Sequence, residues 1–273
     1  MKRMRPRLAI CSTLLDRDEA VELLCGPYDD PGVEFRIDAH RVGDLPDQIE
    51  DLCSRVERCD ISDLEIRYHF PLGPFELSHI EDDQASRALT LMKSSVGHIA
   101  ETGGSYLTVH LALPEDASHD RFARACDLLG ELVHYGATRG VRVCLENLRW
   151  GITSEPEHFL EIVDASGAGI TFDVGHAISS DAAAEGFSAA RFAAELGDRI
   201  ENVHVYGREE AVHLAPHSIE EIRPAVDALL ATQCSWWTIE LFGLSEVTST
   251  RDMLLAYFDT VHLGLRRHPQ AIL

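Results

Sequence analysis

The sequence predicts an α/β protein, a single (β/α)8 barrel with its active site at the C-terminal ends of the strands. Short apolar, β-branched segments alternate with amphipathic helical segments along all 273 residues. Eight strand–helix pairs can be counted, and the chain length is close to the roughly 250 residues of a typical eight-fold barrel. Four consecutive strands also end on acidic or histidine side chains. In a barrel of parallel strands, such ends build the active site.

In the first half of the chain, runs of apolar and β-branched residues predict strands at 8–13, 32–38, 64–69 and 106–110. Apolar residues at helical spacing predict helices at 19–25, 45–59, 86–102 and 120–140. Gly103-Gly104 is typical of the end of the third helix. The connection at 70–83, which contains two prolines and a glycine, is long enough to act as a lid.

In the second half, the same patterns predict strands at 141–146, 169–173, 200–204 and 236–240. The matching helices are expected at 155–165, 189–196, 218–232 and 250–265. No linker-like or low-complexity segment interrupts the alternation. We therefore expect residues 1–273 to form one domain.

The last four strands end on residues that bind metals. The segment 141–145 runs into Glu146, and the next three strands end at Asp173, His204 and Glu240, at intervals of 27, 31 and 36 residues. Each interval is about one strand–crossover unit of roughly 30 residues. A loop hydrogen bond is the simpler explanation for any one of these residues. Their recurrence favours a divalent cation, Mn²⁺ or Zn²⁺ before Mg²⁺ or Co²⁺, which would offset the cost of burying carboxylates.

The segment ENLRWGITSEPEHFLEIVDASGAGITFDVGHA, residues 146–177, resembles the middle of the xylose isomerase-like TIM barrels. That superfamily contains sugar and sugar-phosphate isomerases and epimerases, inosose dehydratases and hydroxypyruvate isomerases. The resemblance implies a metal-dependent isomerase or epimerase of a small sugar, polyol or hydroxy-ketone. It implies that Glu146 and Glu240 are the acid/base pair and that His176 contacts the substrate. By the same resemblance, one divalent ion is held by Glu146, Asp173, His204 and Glu240.

Further polar residues cluster at the same strand ends. His69 and His110 end strands three and four; each is either a loop anchor or a functional residue, and beside Glu146 they are compatible with a second metal. Trp150 is either a wall for a sugar face or part of the core. The candidate substrate-binding residues are His69, His110, Arg149, Trp150, His176, Arg208 and His213.

The apurinic endonucleases, relatives of the same superfamily, provide an alternative: metal-dependent hydrolysis of a phosphodiester. The residues that resemble their multi-zinc ligand set are His69, His110, Glu146, Asp173, His176, His204, His213 and Glu240. Ala211 departs from that pattern, since it stands where an aspartate is expected. A sugar or inosose dehydratase on the same site is a further alternative.

The composition narrows the partners. The net charge of −22, from 46 acidic and 24 basic residues, opposes binding to nucleic acid. The lysines, Lys2 and Lys93, do not end strands, so Schiff-base chemistry is not expected. No glycine-rich phosphate cradle follows strands seven or eight, which favours an unphosphorylated small sugar or polyol. The sequence leaves a homo-oligomer open.

The sequence also predicts a cytoplasmic protein. No apolar run approaches the length of a membrane span, and the start, MKRMRPRLAICST, lacks the apolar stretch of a signal peptide. The seven cysteines have no CxxC spacing and are expected to be reduced thiols, mostly in the core.

Overall fold

The strands form a closed parallel barrel. The computed structural model describes residues 5–15, 19–20, 32–57 and 64–267. Within these residues the barrel strands are β1 (Arg7–Cys11), β2 (Gly32–Arg36), β3 (Glu65–His69), β4 (Tyr106–Val109), β5 (Arg142–Glu146), β6 (Gly169–Asp173), β7 (Ile200–Val205) and β10 (Trp236–Ile239). Their order around the barrel is β1-β10-β7-β6-β5-β4-β3-β2. A separate antiparallel hairpin consists of β8 (Arg208–Glu209) and β9 (His213–Leu214).

Helices follow the strands and pack their apolar faces on the barrel. They are α1 (Leu45–Glu57), α2 (Asp82–Glu101), α3 (His119–Ala137), α4 (Pro156–Ser166), α5 (Val174–Ser179), α6 (Asp181–Ala184), α7 (Ala189–Leu196), α8 (Ile219–Leu230) and α9 (Leu244–Arg267). The close approach of α3 to β5 requires Gly136, because a Cβ there would lie 2.6 Å from the backbone oxygen of Val141. Short 3-10 helices are at Ser12–Leu14, Ala39–Asp44, Ile152–Ser154 and Gly197–Arg199.

The predicted (β/α)8 barrel is confirmed. The strands agree with the prediction to within two residues at either end. The helix predicted at 19–25 lies largely outside the described residues, and α9 begins earlier than the predicted 250. The sequence analysis missed the β8–β9 hairpin and the short helices α5 and α6, which are shorter than a detectable helical period. That residues 1–273 form one domain stays a prediction.

At the N-terminal end of the barrel interior, the side chain of Arg67 lies between two aromatic rings. The guanidinium of Arg67 lies 3.8 Å from the ring centroid of Tyr106 and 4.5 Å from that of Trp236. It also donates a hydrogen bond to the backbone oxygen of Glu201, at 3.1 Å. One layer higher, Thr108 and Thr171 are hydrogen-bonded at 2.8 Å. These layers of side chains fill the N-terminal part of the barrel interior, which leaves the C-terminal ends of the strands as the place for a site.

In the described part of the chain, no helix is long and apolar enough to span a membrane. Cys11, Cys126, Cys144 and Cys234 are buried free thiols, and Cys53 is a half-buried one. The prediction of unpaired, mostly buried cysteines is confirmed for these five residues. Cys25 and Cys59 lie outside the described residues.

Candidate active site

The four predicted metal ligands converge at the C-terminal end of the barrel. Glu146 and Asp173 are the last residues of β5 and β6, His204 lies in β7, and Glu240 follows β10. Asp173 is directly beside His204 in the parallel register, so the side chains reach the same level. Each of the four offers a ligand atom, and these atoms all lie within 4.8 Å of one another. All four side chains are buried.

Several atoms of this group are buried without a hydrogen-bond partner. They are both carboxylate oxygens of Glu146, Oδ2 of Asp173 and Nδ1 of His204. Nδ1 of His204 lies 3.1 Å from Oε2 of Glu240 and 3.3 Å from Oε1 of Glu146. Unsatisfied buried polar atoms are costly, and a cation among them removes that cost. One imidazole nitrogen with three carboxylates is a donor set that fits Mn²⁺ or Zn²⁺.

Charges within the group shift the pKa values of its members in opposite directions. Burial favours the neutral form of Glu146, but His204 and His110 outweigh it and hold the Glu146 pKa well below its usual range. Burial also opposes protonation of His204, whereas Glu34, Glu146 and Glu240 raise its pKa well above the ordinary value. The histidine charge thus balances carboxylates that a metal ion would otherwise balance.

A second group of potential ligands shares Glu146. Nε2 of His110 lies 3.1 Å from Oε2 of Glu146, and Nε2 of His69 lies 3.4 Å from the same oxygen. The two histidine nitrogens are 3.3 Å apart. The ligand atoms of these three residues also lie within 4.8 Å of one another. The arrangement is compatible with the second metal expected from the sequence.

A cavity of about 250 Å³ opens above these residues. Glu146 and Glu240 line it, whereas Asp173 and His204 do not. Trp150 is 39% exposed and lines the same cavity, so it is a wall and not part of the core. The predicted substrate-binding residues that line the cavity are His69, His110, Arg149, Trp150, His176 and His213.

Arg208 is the predicted substrate-binding residue that the structure does not bring to this cavity. It lines a separate surface depression with Leu214 and Pro216. Its Nε lies 3.0 Å from Oε1 of Glu210. The physical reason is the β8–β9 hairpin: in an extended strand, neighbouring side chains point to opposite faces. Arg208 therefore points away while Glu209 faces the cavity.

The hairpin places Glu209 directly opposite His213. Oε2 of Glu209 lies 3.3 Å from Nε2 of His176 and 3.0 Å from Nε of Arg149. Ala211 stands where the endonuclease pattern has an aspartate, and in this structure Glu209 is the carboxylate beside His213. The ligand atoms of His176, Glu209 and His213 lie within 4.8 Å of one another.

Comparison with known proteins agrees with this geometry. A profile described as xylose isomerase-like TIM barrel matches residues 21–242. The chain belongs to this family. A relative, the uncharacterized protein MJ0008 of Methanocaldococcus jannaschii, is 31% identical over 197 residues, 71% of this chain and 80% of the relative.

Solved structures share the xylose isomerase-like barrel at low sequence identity. A D-tagatose 3-epimerase-like protein has a TM-score of 0.74 and 19% identity, covering 95% of this chain and 99% of the other. An L-ribulose 3-epimerase has a TM-score of 0.65 and 17% identity, covering 97% and 96%. At these identities the similarity establishes the fold.

Sequence reasoning missed other residues at the site of this xylose isomerase-like barrel: Arg36, Glu209 and Phe242 line the cavity, and Glu34 lies beneath it against His204. Glu34 did carry a signal, because it is a charged residue between Val33 and Phe35 inside a predicted strand. Glu209 carried none, since its position depends on the hairpin turn.

The segment predicted as a lid contributes to the cavity wall. Pro71 and Leu72 line the cavity, and the Ser78 hydroxyl donates to the Ala112 backbone oxygen at 3.0 Å. Glu76 accepts a hydrogen bond from the Gly73 backbone at 3.1 Å, and burial raises the pKa of this carboxyl to about 7. The segment is thus fixed both by a hydrogen bond within it and by one to Ala112; that it acts as a lid stays a prediction.

Proposed function

We propose that the protein is a divalent-metal-dependent isomerase or epimerase of a small, unphosphorylated sugar or hydroxy-ketone. One observation carries this proposal. Of the four converging side chains, the two that line the cavity are Glu146 and Glu240. Asp173 and His204 do not line the cavity, so in this proposal they bind the ion without touching the substrate. This is the division expected if two carboxylates both bind the ion and exchange protons with the substrate.

The size and lining of the cavity support a sugar-sized substrate. Its volume of about 250 Å³ is below the roughly 300–1,000 Å³ of pockets for drug-sized ligands. The aromatic face of Trp150 and the polar groups of His176 and Arg149 suit a polyhydroxylated molecule. The names of the two structural neighbours, a D-tagatose 3-epimerase-like protein and an L-ribulose 3-epimerase, agree with this substrate class.

The mechanism follows from where the two carboxylates stand. Glu146 lies at the end of β5 and Glu240 follows β10. Two strands, β6 and β7, separate β5 from β10 in the barrel, so the two side chains approach the cavity from different sides. In epimerisation, one carboxylate removes the proton from the carbon beside the carbonyl. The other returns a proton to the opposite face, and the substrate's oxidation state is unchanged. When bound, the divalent ion would polarise the carbonyl and stabilise the negative charge.

Neighbouring residues hold this arrangement in place. Asn147 donates a hydrogen bond to the Asp173 backbone oxygen at 3.0 Å and accepts one from the Asp173 backbone nitrogen at 2.8 Å. Nδ1 of His176 lies 2.8 Å from the Asn147 backbone oxygen. The other ring nitrogen of His176, Nε2, lies 3.3 Å from Oε2 of Glu209, so the two residues together form a polar part of the cavity wall.

The proposal is tested by product analysis on a panel of ketoses. Protein stripped with a chelator and reloaded with Mn²⁺, Co²⁺ or Zn²⁺ is incubated with each sugar, and products are separated by chromatography. We expect a new ketose or aldose with the reloaded protein, and none with the stripped protein or with Glu240→Gln. A reloaded protein that converts no member of the panel would contradict the proposal.

A second candidate is metal-dependent hydrolysis of a phosphodiester. The observation that favours it is Glu209, which completes a third potential ligand group with His176 and His213. Adjacent groups for several ions suit two-metal and three-metal hydrolysis. The metal content of purified protein separates the candidates: one tightly held ion per chain supports the isomerase, and three zinc ions support the hydrolase. A dehydratase would use the same single-ion site.

A further inference from the structure

Glu34 is a carboxylate in an unusual place. It lies in the middle of β2, is 2% exposed and does not line the cavity. A buried carboxylate is costly unless its oxygens are satisfied by hydrogen bonds or opposite charge. The groups that contact the Glu34 carboxylate therefore indicate its role.

The contacts lead to two histidines of the metal-binding groups. Oε2 of Glu34 lies 2.9 Å from Nε2 of His204 and accepts a hydrogen bond from the Thr238 hydroxyl at 3.4 Å. Thr238 in turn accepts one from the Trp236 indole at 3.1 Å. Oε1 of Glu34 lies 3.4 Å from Nδ1 of His69. An ionised carboxylate only accepts hydrogen bonds, so the hydrogen of the short contact belongs to Nε2 of His204.

This hydrogen decides which nitrogen of His204 can bind an ion. With Nε2 as the donor to Glu34, the neutral ring has its lone pair on Nδ1. Nδ1 is the atom that faces Glu240 and Glu146 and lacks a hydrogen-bond partner. His69 lies in a similar position, with Nδ1 3.4 Å from Oε1 of Glu34 and Nε2 3.4 Å from Oε2 of Glu146, but no hydrogen bond joins it to Glu34. The contact that fixes a ring is the one between Glu34 and His204. Metal-binding histidines commonly donate their other nitrogen to a carboxylate in this way.

We propose that Glu34 is a positioning residue for the metal centre, which fixes the ring of His204 so that Nδ1 is the ligand atom. The other oxygen of Glu34, Oε1, lies beside His69 of the second ligand group without a hydrogen bond to it, so the proposal concerns His204. The proposal rests on the proposed metal site. It does not depend on which substrate the enzyme converts.

The experiment needs no substrate: it measures the affinity for zinc and identifies which nitrogen of His204 binds the metal. Zn²⁺ affinity is determined by competition with a chromophoric chelator for the wild type, Glu34→Leu and Glu34→Gln. We expect Glu34→Leu to bind Zn²⁺ about 10- to 100-fold more weakly, the usual effect of losing such a partner. Glu34→Gln should recover part of the loss, because its amide oxygen can still accept from His204. Glu65→Leu, which removes a carboxylate bonded to Arg67 at the start of β3, is the matched control and should keep wild-type affinity.

A spectroscopic measurement on the wild type keeps the proposal testable if Glu34→Leu fails to fold. In ¹⁵N-histidine NMR of zinc-loaded protein, the His204 signal should show a metal-bound Nδ1 and a protonated Nε2. A metal-bound Nε2, unchanged affinity in Glu34→Leu, or a wild type that binds no zinc would overturn the proposal. If the expected affinities and shifts are found but no ketose is converted, the proposed function fails alone.

Discussion

At the scale of single residues, the site is a set of buried charged groups that are packed closely together. Two oxygens of Glu146, one of Asp173 and one nitrogen of His204 face one another without hydrogen bonds. Such a cluster is unfavourable unless its atoms share a cation or a proton. The neighbouring carboxylates of Glu34, Glu146 and Glu240 raise the pKa of His204 well above its ordinary value, which favours a proton on the ring. In the proposed metal site, an ion and this proton would compete for the same position.

Replacing Asp173 by Asn tests the ligand set. The amide keeps the shape of the side chain, and its oxygen can still accept the 2.6 Å hydrogen bond from the His176 backbone that Oδ1 accepts at the start of α5. The fold should therefore persist, while the loss of the negative charge weakens metal binding by at least about tenfold. Calorimetric titration with Mn²⁺ measures this, and Asp164→Asn, on the exposed side of α4, is the control. Equal affinities of wild type and Asp173→Asn would refute the four-ligand arrangement.

The competition between metal and proton predicts a pH dependence. The pKa of His204 lies well above its ordinary value, so below that pKa an incoming ion must displace a proton from the ring. Metal affinity should therefore increase as pH rises towards the pKa and level off above it. Calorimetry in buffers of different ionisation enthalpy should show net proton release at neutral pH. Binding without proton release would mean that His204 is already neutral or is not a ligand.

At the scale of secondary-structure elements, the segment 70–81 between β3 and α2 contains Glu76, which predicts a pH dependence of the protein's stability. Burial raises the pKa of Glu76 from 4.5 to about 7, so the folded state holds this proton more tightly than the unfolded chain. Its contribution to stability is complete below about pH 4.5, decreases as pH rises and is lost above about pH 7. The contribution is roughly 3 kcal/mol at most. Glu76→Gln should remove this decrease.

Urea unfolding of wild type and Glu76→Gln between pH 5 and pH 8 measures the difference, with Glu81→Gln as the control from the same segment. The wild type should lose stability relative to Glu76→Gln as the pH rises. Parallel curves for the two proteins would show that Glu76 is ionised in the folded state throughout this range.

The elements also show how far the sequence could predict the structure. Strands such as β5 and β6 can be predicted from the sequence because a fully buried parallel strand is a continuous apolar run. The position of Glu146 or Asp173 then followed from the strand's end. The β8–β9 hairpin was not legible, since two-residue strands have no detectable period. As a result Arg208 was assigned to the cavity and Glu209 was missed, although they are adjacent in the chain.

At the scale of the whole molecule, the net charge of −22 opposes binding to negatively charged partners such as nucleic acids. Binding to nucleic acid depends on lysines and arginines that neutralise phosphates. We therefore expect no binding to duplex DNA, intact or containing an abasic site, at physiological salt, as measured by fluorescence anisotropy. Submicromolar binding to the abasic duplex would support the hydrolase candidate instead.

The barrel itself followed from length and alternation, since few folds accommodate eight strand–helix pairs in 273 residues. The shape of the cavity did not follow, because it depends on how the loops pack on one another. That Asp173 and His204 lie behind Glu146 and Glu240, out of the cavity, is visible only in three dimensions.

The most direct test of the central claim is hydrogen exchange at the substrate carbon. A ketose that the metal-loaded protein converts is incubated with it in D₂O, and deuterium at the carbon beside the carbonyl is followed by NMR. If Glu146 and Glu240 transfer protons, deuterium should enter that position, and Glu146→Gln and Glu240→Gln should each reduce the rate by at least about 100-fold, as expected for loss of a general acid or base. The loss should lie mainly in kcat. Conversion without deuterium incorporation, or full exchange in both glutamine variants, would contradict the account.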